Sequence, residues 1–156
     1  MAYVEGLAAS KVLGGQKMIW GNFGTNNLML SDSLVCSMLE LIDENHLDMV
    51  YTHWSGDGHL DHKAVAHATI AAARHIPRLF MYRANYYDGD TTYDGRFYTD
   101  ISDFVDIKTN SIKAHESEYK RAGEKWLRFI MNQNQNDGQK IGVNYAECFQ
   151  VVKYLR

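Results

Sequence analysis

Between residues 48 and 83 the chain carries a pattern that few folds accommodate. A short apolar run, Asp48-Met49-Val50-Tyr51-Thr52, leads into a loop, Trp54-Ser55-Gly56-Asp57-Gly58, and then into an Ala-rich stretch ending at Arg74. After Pro77, the one proline of the chain, comes a second run, Arg78-Leu79-Phe80-Met81-Tyr82-Arg83. Both runs have the length and composition of buried strands. Residues 62–75 have those of a helix, which Pro77 closes. Strand, helix and strand in that order imply βαβ units, and hence a parallel sheet covered on both faces.

The flanking sequence extends this pattern. Val4, Leu7, Ala8, Val12 and Leu13 make an apolar stripe over residues 3–13, closed by Gly14-Gly15. Lys17 to Gly21 reads as a short strand. Ser31 and Ser33 are candidate N-caps for a helix over 33–45, with Leu34, Met38, Leu41 and Ile42 on one face. Asn85 to Asp94 reads as a surface loop and Phe97 to Ile101 as an edge strand. A long helical pattern covers 103–133, the tract from Asn132 to Gly138 reads as a solvated connection, and Glu147 to Leu155 is a final strand. The predicted fold is therefore α/β, a Rossmann-like three-layer sandwich with a mostly parallel sheet. The 156 residues are expected to form a single domain. A doubly wound sheet normally begins with a strand whose C-terminal loop helps build the ligand site. No strand precedes the 3–13 helix, so the N-terminal strand is expected to be missing and Met1 to be an internal start.

Composition narrows the function classes. A net charge of −3 argues against nucleic acid or an anionic membrane as a partner held by bulk electrostatics. No apolar run approaches the ~18 residues of a membrane span. The first residues lack the basic and apolar blocks of a signal peptide. Cys36 and Cys148 are too few for a disulfide scaffold and sit in apolar stretches, so both are expected to be buried free thiols and the location cytoplasmic.

The chemistry concentrates at His59-Leu60-Asp61-His62, where the first strand gives way to the Ala-rich helix. Open α/β sheets bind ligands beyond the carboxyl ends of their strands. Histidines three apart at a helix start can point toward one locus, as metal ligands must. Catalytic zinc takes three protein ligands and leaves a fourth position for water, whose pKa it lowers toward ~7. A carboxylate such as Asp61 can orient one imidazole. On spacing alone, a metal site and a solvated helix start are both open readings.

The flanking residues carry a resemblance. Thr52-His53 followed by Asp57-Gly58-His59-Leu60-Asp61-His62-Lys63-Ala64-Val65 resembles the signature Asp-x-His-Pro-Asp-His-x-Ala-Val of the PIG-L/LmbE-like family of zinc-dependent N-acetylglucosaminyl deacetylases. Three further stretches agree in order. Glu5 to Gly14 resembles the helix after the first active-site loop. Lys108 through Ala114-His115-Glu116-Ser117 resembles the Lys…Ala-x-His-x-Ser helix, and Tyr145 to Phe149 the closing Glu-x-Phe strand. The resemblance implies that His62 is a zinc ligand. It implies that His59 stabilises the oxyanion or protonates the leaving amine, and that Asp61 orients His59. Leu60 stands where the family has Pro. The family's His-Pro-Asp-Asp motif, source of two further zinc ligands and the general base, is absent from this sequence, as is the substrate-contacting Arg near Met1-Ala2.

Other candidates keep two readings. Asp57 lines the pocket and binds substrate, or caps the loop. Arg83 meets an anionic substrate group, or a surface carboxylate. His115 has a structural role or stands at the rim of the site, while His67 diverges from His62 and His46 and His75 sit at helix ends. Tyr86, Tyr87, Tyr93 and Tyr98 stack on a sugar, or pack on their own domain. The expected function is zinc-dependent de-N-acetylation of an N-acetylglucosamine-containing glycoside, with Zn(2+) as cofactor and the chain inactive in isolation. The alternatives are a non-catalytic fragment, a half that associates with itself or with an upstream segment, and a sugar-binding remnant.

Overall fold

The computed structural model describes residues 2–24, 26–84 and 91–156. Two compact units emerge, Met1–Asn22 with Tyr98–Glu147, and Phe23–Phe97 with Cys148–Arg156. In chain order the elements are α1 (Ala2–Val12), α2 (Asp32–Glu44), β1 (Met49–His53), α3 (Leu60–Ala72), β2 (Arg78–Tyr82), β3 (Phe97–Asp100), α4 (Val105–Lys113), α5 (Glu116–Ile141) and β4 (Ala146–Tyr154).

In the unit that holds β1, α3 and β2, the sequence pattern folds as predicted. Strands β1 and β2 are parallel, in register from Met49↔Arg78 to His53↔Tyr82. Helix α2 begins at Ser31, whose Oγ accepts the Leu34 N–H at 3.3 Å. Its apolar face brings Val35, Met38, Leu39 and Ile42 onto Ala72, Ala73, Ile76 and Leu79. Helix α3 buries Ala64, Ala66, Ala68 and Ala72. Such small side chains let it lie close to β1, and the Thr52 hydroxyl reaches Thr69 Oγ1 at 3.2 Å. Strand β2 is buried on both faces, as a continuous apolar run implies. Leu79 joins the aliphatic cluster, and Phe80 lies among Tyr51, Phe97, Phe149 and Tyr154.

The sheet itself corrects the expectation of a mostly parallel one. The four strands hydrogen-bond in the order β1-β2-β4-β3, and β4 runs antiparallel to β2. The Arg96 N–H donates to Phe149 O and the Ile101 N–H to Tyr145 O, the opposed numbering of an antiparallel pair. Of these pairs only β1 and β2 are parallel, because only they are joined by a crossover helix. β3 lies at the edge, as its sequence implied.

In the other unit three expectations give way. The Lys17–Gly21 stretch forms no strand, because its side chains are spent on α1. Met18 lies against Gly6, where an added Cβ would come within 2.6 Å of Met18 Cε, and Trp20 packs edge-on against Tyr3 with ring centroids 5.6 Å apart. The 103–133 pattern is two helices rather than one. His115 has non-helical torsions, and the Glu5 carboxylate accepts the Ser117 N–H at 3.1 Å and its hydroxyl at 2.6 Å, capping the start of α5 from 112 residues away. Gly123, at φ 68° and ψ −167°, breaks α5 again in a region reserved for glycine. The polar tract 132–138 is no solvated connection but the last turns of α5. Asn134 donates to Ala146 O at 3.0 Å, Asp137 pairs with Lys140 at 2.8 Å, and Gly138 admits the backbone of Val143 and Tyr145. Buried polar groups with partners are tolerated, which composition alone does not reveal. In the unit that holds β1, Cys148 is buried as expected, whereas Cys36 is exposed on α2.

Candidate functional site

Strand β1 ends at His53, and one further bond, Trp54 N–H to Tyr82 O at 2.9 Å, carries the chain past the sheet edge. The loop then turns tightly. The Asp57 N–H donates to Trp54 O at 3.2 Å, and Gly56 passes so close to the Trp54 indole that a Cβ would collide with it. Asp57 is 3% exposed. Its Oδ1 accepts the His59 N–H at 2.8 Å and its Oδ2 lies 3.1 Å from His62 Nδ1. The geometry thus gives Asp57 the loop-capping role among its sequence readings, and adds a contact with the imidazole of His62 that neither reading included.

His59 is the N-cap of α3, with extended torsions, and its Nδ1 accepts the Asp61 N–H at 3.2 Å. The side chains of His53, His59 and His62 form a stack. His53 and His62 have ring centroids 3.9 Å apart with planes 8° from parallel, and His59 and His62 are 4.6 Å apart at 22°. Tyr82 closes the group, its hydroxyl 3.4 Å from His53 Nε2. Burial, followed by the neighbouring His62, pulls the His53 pKa down to about 4, so its ring is neutral at neutral pH. Burial and then the Asp57 charge raise that of Tyr82, whose hydroxyl keeps its proton.

These bonds assign the tautomers. A nitrogen facing a buried carboxylate carries the proton, so the neutral form of His62 is the one protonated on Nδ1, with its lone pair on Nε2. A nitrogen accepting a backbone N–H carries the lone pair, so neutral His59 holds its proton on Nε2. Adjacent rings therefore offer opposite functions, a donor from His59 and a lone pair from His62. Helix start and loop carboxylate together produce that pairing.

Asp61 is employed elsewhere. Its Oδ2 accepts the Asn26 N–H at 2.6 Å and its Oδ1 the Leu28 N–H at 3.2 Å, fastening a segment 33–35 residues upstream. Its contact with His59 runs through its own backbone N–H. The Asn26 bond, foremost, holds its pKa below the ordinary carboxylate value. A depressed carboxylate pKa contributes stability that is present above the unfolded value and lost as pH falls through the folded one. Asp61→Ala is expected to accelerate hydrogen exchange of the Asn26 and Leu28 amides while leaving those of β2 unchanged. In the wild type the same acceleration is expected only below the ordinary carboxylate range. Unchanged protection in the variant would show that the segment is held by other contacts.

The remaining candidates have their own surroundings. His67 is exposed on α3, His75 accepts from Arg74 Nε at 3.1 Å, and His115 heads α5 in the other unit. The Arg83 guanidinium lies over the Tyr93 ring at 5.2 Å. The Tyr93 hydroxyl lies 2.9 Å from Met81 O and 2.8 Å from Cys148 O, which commits it to its own sheet. Tyr86 and Tyr87 lie outside the described residues. The resemblance includes His53 at its strand end but not Tyr82, and both end adjacent parallel strands in register, the usual ligand-facing edge of such a sheet.

A catalytic zinc requires three converging protein ligands. Among the described residues no group of three or more His, Cys, Asp or Glu side chains is arranged to hold a metal ion. Stacked, near-parallel imidazoles direct their in-plane lone pairs alongside one another rather than toward a common point. His62 backed by Asp57 has the chemistry of one ligand with its supporting carboxylate. The described residues by themselves do not fit the whole site. No helix among them is long and apolar enough to cross a membrane.

No protein-family model matches the sequence. Solved structures do resemble the chain. The conserved protein TT1542 from Thermus thermophilus superposes with a TM-score of 0.85 at 22% identity, over 97% of this chain and 73% of that one. The N,N'-diacetylchitobiose deacetylase from Pyrococcus horikoshii, complexed with its inhibitor MPG, gives 0.79 at 21% identity, over 92% of this chain and 60% of that one. GalB, the 4-carboxy-2-hydroxymuconate hydratase from Pseudomonas putida KT2440, gives 0.80 at 16% identity, over 97% and 70%. The chain thus spans between three fifths and three quarters of the length of these proteins, and what it shares with them is the fold.

Proposed function

We propose that this chain is part of a de-N-acetylase-type amide hydrolase acting on N-acetylglucosamine-containing glycosides. The observation that carries the reading is the pairing of His59, which accepts the Asp61 N–H, with His62, which faces Asp57, at the start of α3 in a fold shared with a sugar deacetylase. That fold also hosts a hydratase, so the choice of amide hydrolysis rests on the residues. The His59-Leu60-Asp61-His62 segment and its resemblance to the deacetylase signature favour it. Zn(2+) is the proposed cofactor, with His62 as one of its ligands. When bound, it would supply polarisation of the acetamide carbonyl and an activated water.

The chain's own residues then have separable tasks. Asp57 fixes the His62 ring and its tautomer. His59, with its proton on Nε2, donates to the oxygen that becomes negative or to the departing amine. The α3 N-terminus adds a favourable dipole for developing negative charge. Without two further ligands the chain alone is expected to release no acetate. Co-expression with a segment carrying His-Pro-Asp-Asp is expected to restore chelator-sensitive acetate release from N,N'-diacetylchitobiose or N-acetylglucosamine. Substituting His59 or His62 by alanine should abolish it. Chelator-resistant release by the isolated chain, or a restored activity indifferent to His62, would overturn the reading.

A further inference from the structure

We infer that His53, which lies outside the His-Leu-Asp-His segment, is a positioning residue that fixes the plane of the His62 ring. The inference deepens the proposed function, since it rests on His62 being a working imidazole of that site. The hydrogen bond from His62 Nδ1 to Asp57 holds one corner of the ring. A flat face parallel to the ring sets its plane. His53 supplies such a face, 3.9 Å away and 8° from parallel, and it is the closer and flatter of the two rings that stack on His62.

His53 is itself held on three sides. Its backbone belongs to β1, in register with Tyr82 of β2, and its Nε2 faces the Tyr82 hydroxyl at 3.4 Å. Its ring also packs against that of Tyr82, with centroids 4.9 Å apart. Its Nδ1 is buried and has no hydrogen-bond partner among the described residues. A buried nitrogen without a partner is destabilising, and a leucine or phenylalanine at this strand end would avoid that loss. Local features that work against stability are characteristic of functional sites. The result of the stack is an Nε2 lone pair on His62 with one direction rather than a cone of directions.

Nitrogen-detected NMR of the histidine side chains tests this on the intact chain, at pH about 8.5, two units above the ordinary imidazole value of ~6.5. The His62 resonances are assigned by their loss in His62→Asn. In the wild type, His62 is expected to show two widely separated nitrogens of the Nδ1-protonated form. His53→Phe keeps the flat face and is expected to preserve them, whereas His53→Ala should shift both toward the tautomer average and broaden them. Should His53→Ala fail to fold, His53→Leu, which fills the space without a flat face, takes its place with the same expectation. His62 nitrogens unmoved in the Ala or Leu variant would overturn the inference, as would a Phe variant that behaves like Ala. The spectrum reports on the ring whether or not acetate is ever released. An ordered His62 in a reconstituted protein without deacetylase activity would therefore refute the proposed function and leave the positioning role intact.

Discussion

Phe80→Ala is expected to destabilise the protein by about 3–5 kcal/mol, the usual range for removing a buried aromatic side chain. Phe80 is fully buried at 0% exposure, the largest of the fully buried side chains among the described residues. Its ring stacks on Tyr51 at 5.2 Å and meets Phe97 at 4.8 Å, with Phe149 and Tyr154 at 6.3 and 6.1 Å. Four aromatic rings around one position cannot all move inward to fill the gap, because they are anchored on the three strands β1, β3 and β4. Against a total stability of ~5–15 kcal/mol, the loss is a large fraction of the whole. Denaturant unfolding should show a large drop in midpoint at unchanged m-value. Phe80→Leu, which refills most of the volume, should recover much of it. A loss below ~1 kcal/mol for the alanine variant would mean that the aromatic cluster collapses around the cavity.

Asp57 is expected to give the second large effect, with stability and chemistry separable by choice of substitution. Asp57→Ala removes the acceptor of both the His59 N–H and His62 Nδ1–H. Each donor left unpaired at this buried position costs about 1–3 kcal/mol. Asp57→Asn is the more informative variant. Its side-chain oxygen can still accept the His59 N–H, so the loop turn survives. Its amide N–H₂ faces His62 Nδ1, which must then accept, and the imidazole proton moves to Nε2. That reversal takes the lone pair from the nitrogen proposed to serve the site. We expect Asp57→Asn to unfold near the wild type while the co-expressed, reconstituted activity falls by roughly 10–100-fold, the usual range for losing a ligand's supporting carboxylate. Equal losses of stability in both variants, with activity per folded molecule unchanged, would leave Asp57 a loop cap only.

The βαβ core was legible because its determinants are local. The runs at 49–52 and 78–83, the alanines of α3 and Pro77 each act over a few residues, and the structure places those elements within two or three residues of the pattern. Where distant partners decide, the pattern misleads. Lys17 to Gly21 has strand composition but serves α1, and the break before α5 is made by Glu5. The polar tract at 132–138 is helical because Asn134 Nδ2 and Asp137 find partners in Ala146 O and Lys140, and Gly138 admits the Val143–Tyr145 backbone. Sheet polarity follows the same rule. The crossover between β1 and β2 dictates a parallel pair, but the entry of β4 between β2 and β3 depends on pairing with strands far away in the sequence.

The candidate site divides in the same way. The residue types and spacing of His59-Leu60-Asp61-His62 are properties of the sequence, and they identify where chemistry can occur and with which groups. The partners of those groups are tertiary. Sequence reasoning paired Asp61 with His59, whereas the folded chain turns the Asp61 carboxylate to Asn26 and Leu28 and sets Asp57 against His62. His53 and Tyr82 join only because parallel pairing aligns the ends of two strands. A motif specifies side chains, while the direction of a lone pair depends on torsions and hydrogen bonds that exist only after the strands, loop and helix have come together.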